Sequence, residues 1–245
     1  MDSKQNKKVL ITGGTAGIGR AIALLLAEAG YHVTLIGRDY EKLQDLLTDY
    51  NKLERRGTLN GLIADLTDER AIEKILQEYL DDYGCPDIFI NNAGLPYNGV
   101  MDEQGDSLAY LVKTNLWAYM HLAGKIGSRM IQNGVQGDII NVGSMSADVR
   151  EKNSSAYVGT KAGIQGFSEA FRKEINPHGV RVSLIEPGAV GTDMQPTSPA
   201  EERDMQKNEE MLLAEDIADA VLYILERPRR NNIAVLQIKP TKQYI

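Results

Sequence analysis

The sequence predicts one doubly wound α/β domain, with about seven parallel strands and helices on both faces of the sheet. Three observations lead there. Short apolar runs alternate with longer segments whose apolar residues recur at helical spacing. Glycines, prolines and capping residues punctuate the boundaries between them. No repeat, linker or low-complexity stretch divides the 245 residues, so 1–245 reads as a single unit.

Taken in order, residues 9–12 (Val-Leu-Ile-Thr) predict a buried strand. A helix follows over 17–30, with Ile18, Ala21, Ile22, Leu25, Leu26 and Ala29 on one face and Gly30 as its stop. Residues 32–36 are the second strand, and Asp39 can cap a helix running to about Arg56. Residues 59–64 are the third strand, and Thr67 or Asp68 caps a helix to about Tyr83. Residues 87–91 are the fourth strand, followed by a long helix over roughly 103–133 interrupted near Gly105. Residues 138–142 are the fifth strand; a helix fits 155–176 and is halted by Pro177 and Gly179. Residues 180–185 are the sixth strand. Residues 190–213 are polar, acidic and Met-containing with no clear period. A helix over 214–226 stops before Pro228, and 233–238 is the last strand. Strands alternating with helices imply right-handed crossovers and a Rossmann-type sheet.

Composition narrows the function classes. Hydrophobic content of 42% with 25% charged residues is ordinary for a globular chain with a large core. A net charge of −7 argues against nucleic-acid partners and anionic membrane surfaces. The single Cys85 excludes an internal disulfide framework. The apolar run at 9–11 is too short for a signal peptide, and no run approaches the ~20 residues of a membrane span. The expectation is a cytoplasmic protein. His32, His121 and His178 are scattered and Cys85 has no partner at ligand spacing, so no metal site is expected. Val142, not glycine, stands two residues before Ser144, which removes the hydrolase elbow.

Two stretches carry chemistry. The first strand turns into the first helix through Thr12-Gly13-Gly14-Thr15-Ala16-Gly17-Ile18-Gly19. Glycines there let a phosphate approach the backbone, and the helix N-terminus offers free amides and a positive dipole. The second stretch ends in Tyr157 and Lys161, four apart and so one turn apart on a helix face. A phenol has a pKa of about 10 and must fall by about three units, or roughly 4 kcal/mol, to work near neutrality. A positive charge at about 4 Å and an effective dielectric of about 20 supplies roughly that.

Together these motifs resemble the short-chain dehydrogenase/reductase family over residues 7–228. The matching residues are Thr12-Gly13-x-x-x-Gly17-x-Gly19, Asp65-Leu66, Asn91-Asn92-Ala93-Gly94, Asn115, Ser144, Tyr157-x-x-x-Lys161, Pro187-Gly188 and Thr192. The resemblance implies a nicotinamide-dependent oxidoreductase acting on a small carbonyl or secondary-alcohol substrate. Tyr157 would be its general acid/base. Ser144 would hydrogen-bond the substrate oxygen, with Ser146 the alternative. Lys161 would hold the nicotinamide ribose and lower the pKa of Tyr157. Asn115 would hold a water linking Lys161 to solvent.

For the cofactor, the resemblance implies contacts at Gly13, Thr15, Gly17, Ile18 and Gly19, and at Asp65 and Leu66 for the adenine. It also implies contacts at Asn91, Ala93 and Gly94 beside the ring system, with Asn92 structural. Pro187, Gly188, Val190 and Thr192 would hold the nicotinamide amide. The acid that selects NAD usually stands at the position of Gly37. Glycine there, followed by Arg38, predicts NADP(H) over NAD(H), unless Asp39 binds the ribose instead.

Gly159, Ala162, Gly163 and Gly166 on the helix from Ser155 match the family's dimer-forming helix and predict a homotetramer or homodimer. Residues 190–213 are expected to form a substrate lid hinged at Pro187-Gly188, and 95–100 and 145–153 to line the pocket with it. The tail after the last strand, Lys239-Pro240-Thr241-Lys242-Gln243, lacks the Gly-Gly of many members and looks like a branch containing hydroxy-acid and serine dehydrogenases. A dinucleotide-sensing protein without chemistry is the alternative from another class. A sugar-nucleotide epimerase or dehydratase on this fold usually needs a larger C-terminal substrate region.

Overall fold

The computed structural model describes residues 6–54, 56–101, 107–195 and 197–243. Among these, β1 (Lys8–Thr12), β2 (His32–Gly37), β3 (Thr58–Ile63), β4 (Ile88–Asn91), β5 (Asp138–Val142), β6 (Arg181–Pro187) and β7 (Val235–Ile238) form one sheet. Its order is β3-β2-β1-β4-β5-β6-β7 and every pairing is parallel. The helices are α1 (Gly17–Glu28), α2 (Tyr40–Tyr50), α3 (Glu69–Tyr83), α4 (Leu108–Val112), α5 (Ala118–Gln132), α6 (Ser146–Val149), α7 (Ser155–Ile175), α8 (Pro199–Lys207) and α9 (Ala214–Leu225).

Alternation along each strand builds two cores. Val9 and Ile11 of β1 face Ile22 and Leu26 of α1, Leu43 and Leu46 of α2, and Ile217 and Val221 of α9. Leu10 points the other way, into a cluster with Ile72 and Leu76 of α3, Leu122 and Ile126 of α5, and Ile175 of α7. This is the doubly wound sheet expected. β1 pairs with β2 on one side and β4 on the other, so the winding reverses there and a crevice opens beyond the strands' C-terminal ends.

Several boundaries differ from expectation. The first residues of the expected 103–133 helix, 103–106, lie outside the described residues. From Leu108 onward the segment is α4, a π-helical turn at Lys113–Trp117, and α5. Helix α2 stops at Tyr50, because Lys52 and Leu53 donate to Asp49 and Tyr50 and tighten the last turn. Asp68, not Thr67, caps α3, accepting from the Arg70 and Ala71 amides. The aperiodic 190–213 segment contains α8, which buries none of its residues and so shows no apolar stripe. A capping box defines it instead: Ser198 Oγ accepts from Glu201 N at 3.3 Å and Glu201 Oε2 from Ser198 N at 2.8 Å. None of the described helices is long and apolar enough to cross a membrane.

Candidate active site

One cleft of about 410 Å³ runs along the crevice. Gly13, Gly17 and Ile18 line its floor; Arg38, Asp65 and Tyr110 stand at one end and Tyr157 and Lys161 at the other.

The floor is a tight backbone cradle. Gly13 and Gly17 adopt φ of +67° and +51°, a region costly for side chains. A Cβ on Gly19 would collide with the Gly13 carbonyl and the Asn92 amide. Gly19 therefore shapes the turn from behind, and it is not among the residues lining the cleft. Asn92 Nδ2 bridges the Thr12 and Gly13 carbonyls at 3.2 and 2.9 Å, the structural role expected of it. No side chain caps the N-terminus of α1, which leaves its first amides available to an anion.

Asn91 does something else. Its side chain is buried and donates to Tyr119 O at 3.1 Å and to Asn141 Oδ1 at 3.0 Å. Expected beside the cofactor, Asn91 uses its side chain to fasten β4 to β5 and α5 and is not among the residues lining the cleft. Pro187 and Gly188 are likewise anchored rather than free. Gly188 N donates to Ile238 O at 2.8 Å, Met145 N donates to Pro187 O at 3.0 Å, and Gln243 Oε1 accepts from Ala189 N at 2.9 Å. Pro187, Gly188 and Val190 do not line the cleft, whereas Thr192 does. The C-terminal tail thus pins the expected hinge, and the Gly191 amide donates to Leu212 O at 2.9 Å.

At the Tyr157 end of the cleft, Ser144, Tyr157 and Lys161 come together. A hydrogen bond joins Ser144 and Tyr157. Ser146 is turned away, its hydroxyl donating to Glu151 Oε1 at 2.9 Å, which favours Ser144 as the oxygen-binding serine. Lys161 is buried; its Nζ donates to Val142 O at 3.2 Å and lies 5.6 Å from the Tyr157 ring centre. The electrostatics run against expectation. Burial pushes the Tyr157 phenol up; the Ser144 bond opposes this and the Glu151 charge adds to it. Burial also pulls Lys161 down to about 8. The chain alone therefore does not lower the Tyr157 pKa, because desolvation outweighs the Ser144 hydrogen bond.

Asn115 sits in the π-helical turn, fully buried. Its amide is committed to Leu95: Oδ1 accepts from Leu95 N at 2.8 Å and Nδ2 donates to Leu95 O at 2.9 Å. Its side chain holds the cleft wall at 94–95. A Cβ on Gly94 would lie 3.8 Å from both Asn115 Oδ1 and Lys161 Nζ.

At the other end, Gly37 packs so closely on Thr15 that an added Cβ would lie 2.6 Å from Thr15 Cγ2. Asp39 caps α2, accepting from Lys42 N at 3.0 Å. Burial would raise the pKa of Asp65, but the Thr67 amide and hydroxyl, Tyr110 and the Arg38 charge outweigh it and hold the carboxyl below its ordinary value. Ala64, Leu66, Ala93 and Gly94 complete the wall. Tyr110 and Lys42 line the cleft without having been singled out from the sequence, and Asp193 lines it from within the 190–213 segment. Tyr110 bonds both Arg38 and Asp65, and Lys42 forms a 2.9 Å ion pair with Asp193 across the cleft mouth. Tyr110 reaches the site only through a long crossover, 45 residues from Asp65 and 72 from Arg38, whereas Lys42 lies one helical turn after Arg38.

A parallel sheet with this strand order, a glycine cradle at its switch point, and Tyr157 and Lys161 on the same cleft with Ser144 bonded to Tyr157 define a Rossmann-type NAD(P)-binding oxidoreductase. The profile of the family described as "short chain dehydrogenase" matches residues 7–203, and the chain belongs to that family. It is 31% identical over 236 residues to an uncharacterized oxidoreductase of Staphylococcus aureus strain USA300, covering 96% of this chain and 97% of that one. It is 29% identical to sulfoacetaldehyde reductase 2 of Chromohalobacter salexigens, covering 96% and 94%. A metagenomic short-chain oxidoreductase solved in complex with NADP superposes with a TM-score of 0.82 at 27% identity, covering 98% and 99%.

Proposed function

We propose that the protein transfers a hydride between NADP(H) and a small carbonyl or secondary-alcohol substrate. The observation that carries this reading is the meeting of Tyr157 and Lys161 on the cleft that continues into the glycine cradle, with Ser144 hydrogen-bonded to Tyr157. The cofactor, when bound, supplies or accepts the hydride. Gly13, Thr15, Gly17 and Ile18 hold its phosphates and Asp65 with Leu66 its adenine. Ala93, Gly94 and Thr192 flank the nicotinamide half. Tyr157 gives its phenolic proton to the substrate oxygen in reduction and takes it back in oxidation. Ser144 hydrogen-bonds the same oxygen as charge develops on it. Lys161 holds the ribose and, with a pKa near 8, exchanges protons close to neutrality. Asn115 keeps the wall beside Lys161 in place.

The NADP(H) preference is supported by Gly37, where Thr15 leaves no space for an acid, and by Arg38 at the mouth. The NADP complex of the metagenomic relative and the name of the Chromohalobacter reductase accord with an NADP-linked carbonyl reductase. Residues 190–213 form a lid rooted on the C-terminal tail. Turnover of a panel of small aldehydes and ketones, followed by cofactor fluorescence, tests the reading. Binding of cofactor without turnover of any carbonyl or alcohol would leave the protein a sensor.

The chain works as a homotetramer or homodimer in this reading. Gly163 of α7 packs on Leu116, but a Cβ on Gly159, Gly166 or Gly124 would meet nothing within 4 Å. Interior glycine costs a helix about 1 kcal/mol against alanine, so within one chain these residues have no compensation. Exposed Leu108, Val112 and Met120 lie on the adjoining helices. A second copy against α5 and α7 accounts for both. Light scattering is expected to give a dimer or tetramer; a monomer at micromolar concentration sinks it.

A further inference from the structure

The adenosine end of the cleft is already bonded to itself. Arg38 Nη1 donates to the Tyr110 hydroxyl at 2.9 Å, and that hydroxyl donates to Asp65 Oδ2 at 3.0 Å. The other Asp65 oxygen takes the Thr67 amide and hydroxyl, both at 2.8 Å. The Arg38 guanidinium also lies over the Tyr110 ring, 5.9 Å from its centre. All three residues line the cleft, yet they come from three separate segments. One phenol offers one acceptor and one donor. Here the acceptor faces the guanidinium and the donor faces the carboxylate. An adenosine 2′-phosphate presents the same pair of groups: anionic oxygens for the guanidinium and an exocyclic amine for the carboxylate.

We propose that Tyr110 is an internal competitor for the adenosine 2′-phosphate, a specificity residue whose hydroxyl occupies the partners that the cofactor must take. This rests on the reading of Arg38 and Asp65 as the phosphate and adenine partners given above. NADP(H) must displace Tyr110 from both residues, whereas NAD(H) need displace it only from Asp65 and leaves the Arg38 bond in place. Tyr110 therefore lowers absolute affinity for both cofactors and lowers it more for the phosphorylated one. The opposite role, a tyrosine that positions Arg38 and Asp65 for the ligand, predicts the opposite sign.

The test is Tyr110→Phe, which removes both hydrogen bonds and keeps the ring against Arg38. Tyr110 is only partly buried, and an unchanged melting temperature verifies the fold. Calorimetric titration with NADPH, NADH, 2′-phospho-ADP-ribose and ADP-ribose reads binding without turnover. NADPH and 2′-phospho-ADP-ribose are expected to bind about 10-fold tighter, and NADH and ADP-ribose about 3-fold tighter, since one released charged hydrogen bond is worth about that much or more. Unchanged or weaker binding of all four overturns the proposal, as does a gain confined to one unphosphorylated ligand. Arg38→Ala separates this from failure of the underlying reading. If Arg38→Ala leaves the NADPH-to-NADH ratio unchanged, the phosphate assignment is wrong, while the Asp65 half of the competition is still decided by ADP-ribose against Tyr110→Phe. Tyr110→Leu, which removes hydroxyl and ring together, must also tighten ADP-ribose binding; a loss there counts against competition.

Discussion

The two ends of the cleft hold their charged groups in different ways. At the end proposed for the reaction, Lys161 and the neutral Asn115 are buried and tied to backbone: Lys161 to the Val142 carbonyl, Asn115 to both polar groups of Leu95. At the Arg38 end, proposed to take the adenosine half of the cofactor, Arg38 and Lys42 are tied to other side chains, Tyr110 and Asp193. Desolvation dominates the first end, raising Tyr157 and lowering Lys161. Hydrogen bonds win at the second, where Asp65 stays below its ordinary pKa despite partial burial. Backbone-anchored groups cannot be exchanged for a ligand's without breaking the fold, whereas side-chain pairs can. The first arrangement suits fixed geometry for proton transfer; the second suits selection among ligands.

The largest effect should come from Tyr157→Phe, which removes only the transferable proton. Turnover is expected to fall by about 10²–10⁴-fold while cofactor affinity stays within a few-fold. Steady-state kinetics beside a binding titration measure both, and near-normal turnover would remove Tyr157 from the mechanism.

Lys161 gives the next. Its folded pKa of about 8 lies below the ordinary 10.5, so on raising the pH the folded state loses this proton first. Between these values the unfolded chain binds more protons, so stability rises with pH across the window, and the gain is absent below about pH 8. The raised phenol of Tyr157 acts oppositely only above its ordinary value of 10. Denaturant melts at about pH 7 and about pH 10 should show wild type gaining up to about 3 kcal/mol relative to Lys161→Met. Parallel pH slopes for the two proteins would show that Lys161 is not desolvated.

At the exchangeable end, Arg38→Ala is expected to weaken NADPH by about 10–150-fold, the worth of a charged hydrogen-bonded contact of roughly 1.5–3 kcal/mol, and to spare NADH. Equal weakening of both cofactors, or a wild type that prefers NADH, would reverse the assignment of this end.

The smallest effect concerns the Lys42–Asp193 pair, which links the 190–213 segment, proposed as a lid, to the Arg38 end of the cleft from two exposed positions. Such pairs contribute at most about 1 kcal/mol. Asp193→Asn should speed amide exchange within 190–213 by no more than about 5-fold, and cofactor with substrate should slow it in both proteins. Exchange indifferent to ligands would mean that the segment is not a lid.

Much of this molecule was legible before any coordinates. Strand–helix alternation determined the parallel sheet, since each apolar run needs cover on both faces. The spacing of Gly13, Gly17 and Gly19 after the first strand marked the cradle, and the family pattern placed Ser144, Tyr157 and Lys161 together. These are properties of local spacing, which a chain carries with it. Helix α8 was legible too, in Ser198 and Glu201, but only to a search for caps rather than for apolar period. Other features had no local signature. Asn91 turned inward because β5 and α5 offered it partners, and Gly188 was pinned because the tail returned beneath it. Tyr110 meets Asp65 from 45 residues away and Arg38 from 72. The directions of the Tyr157 and Lys161 shifts depended on how much water the finished fold excludes from them. Spacing determined which groups could act together; the long-range crossovers decided which polar atoms each found and how dry each became, because desolvation and partner choice are set by residues distant in sequence.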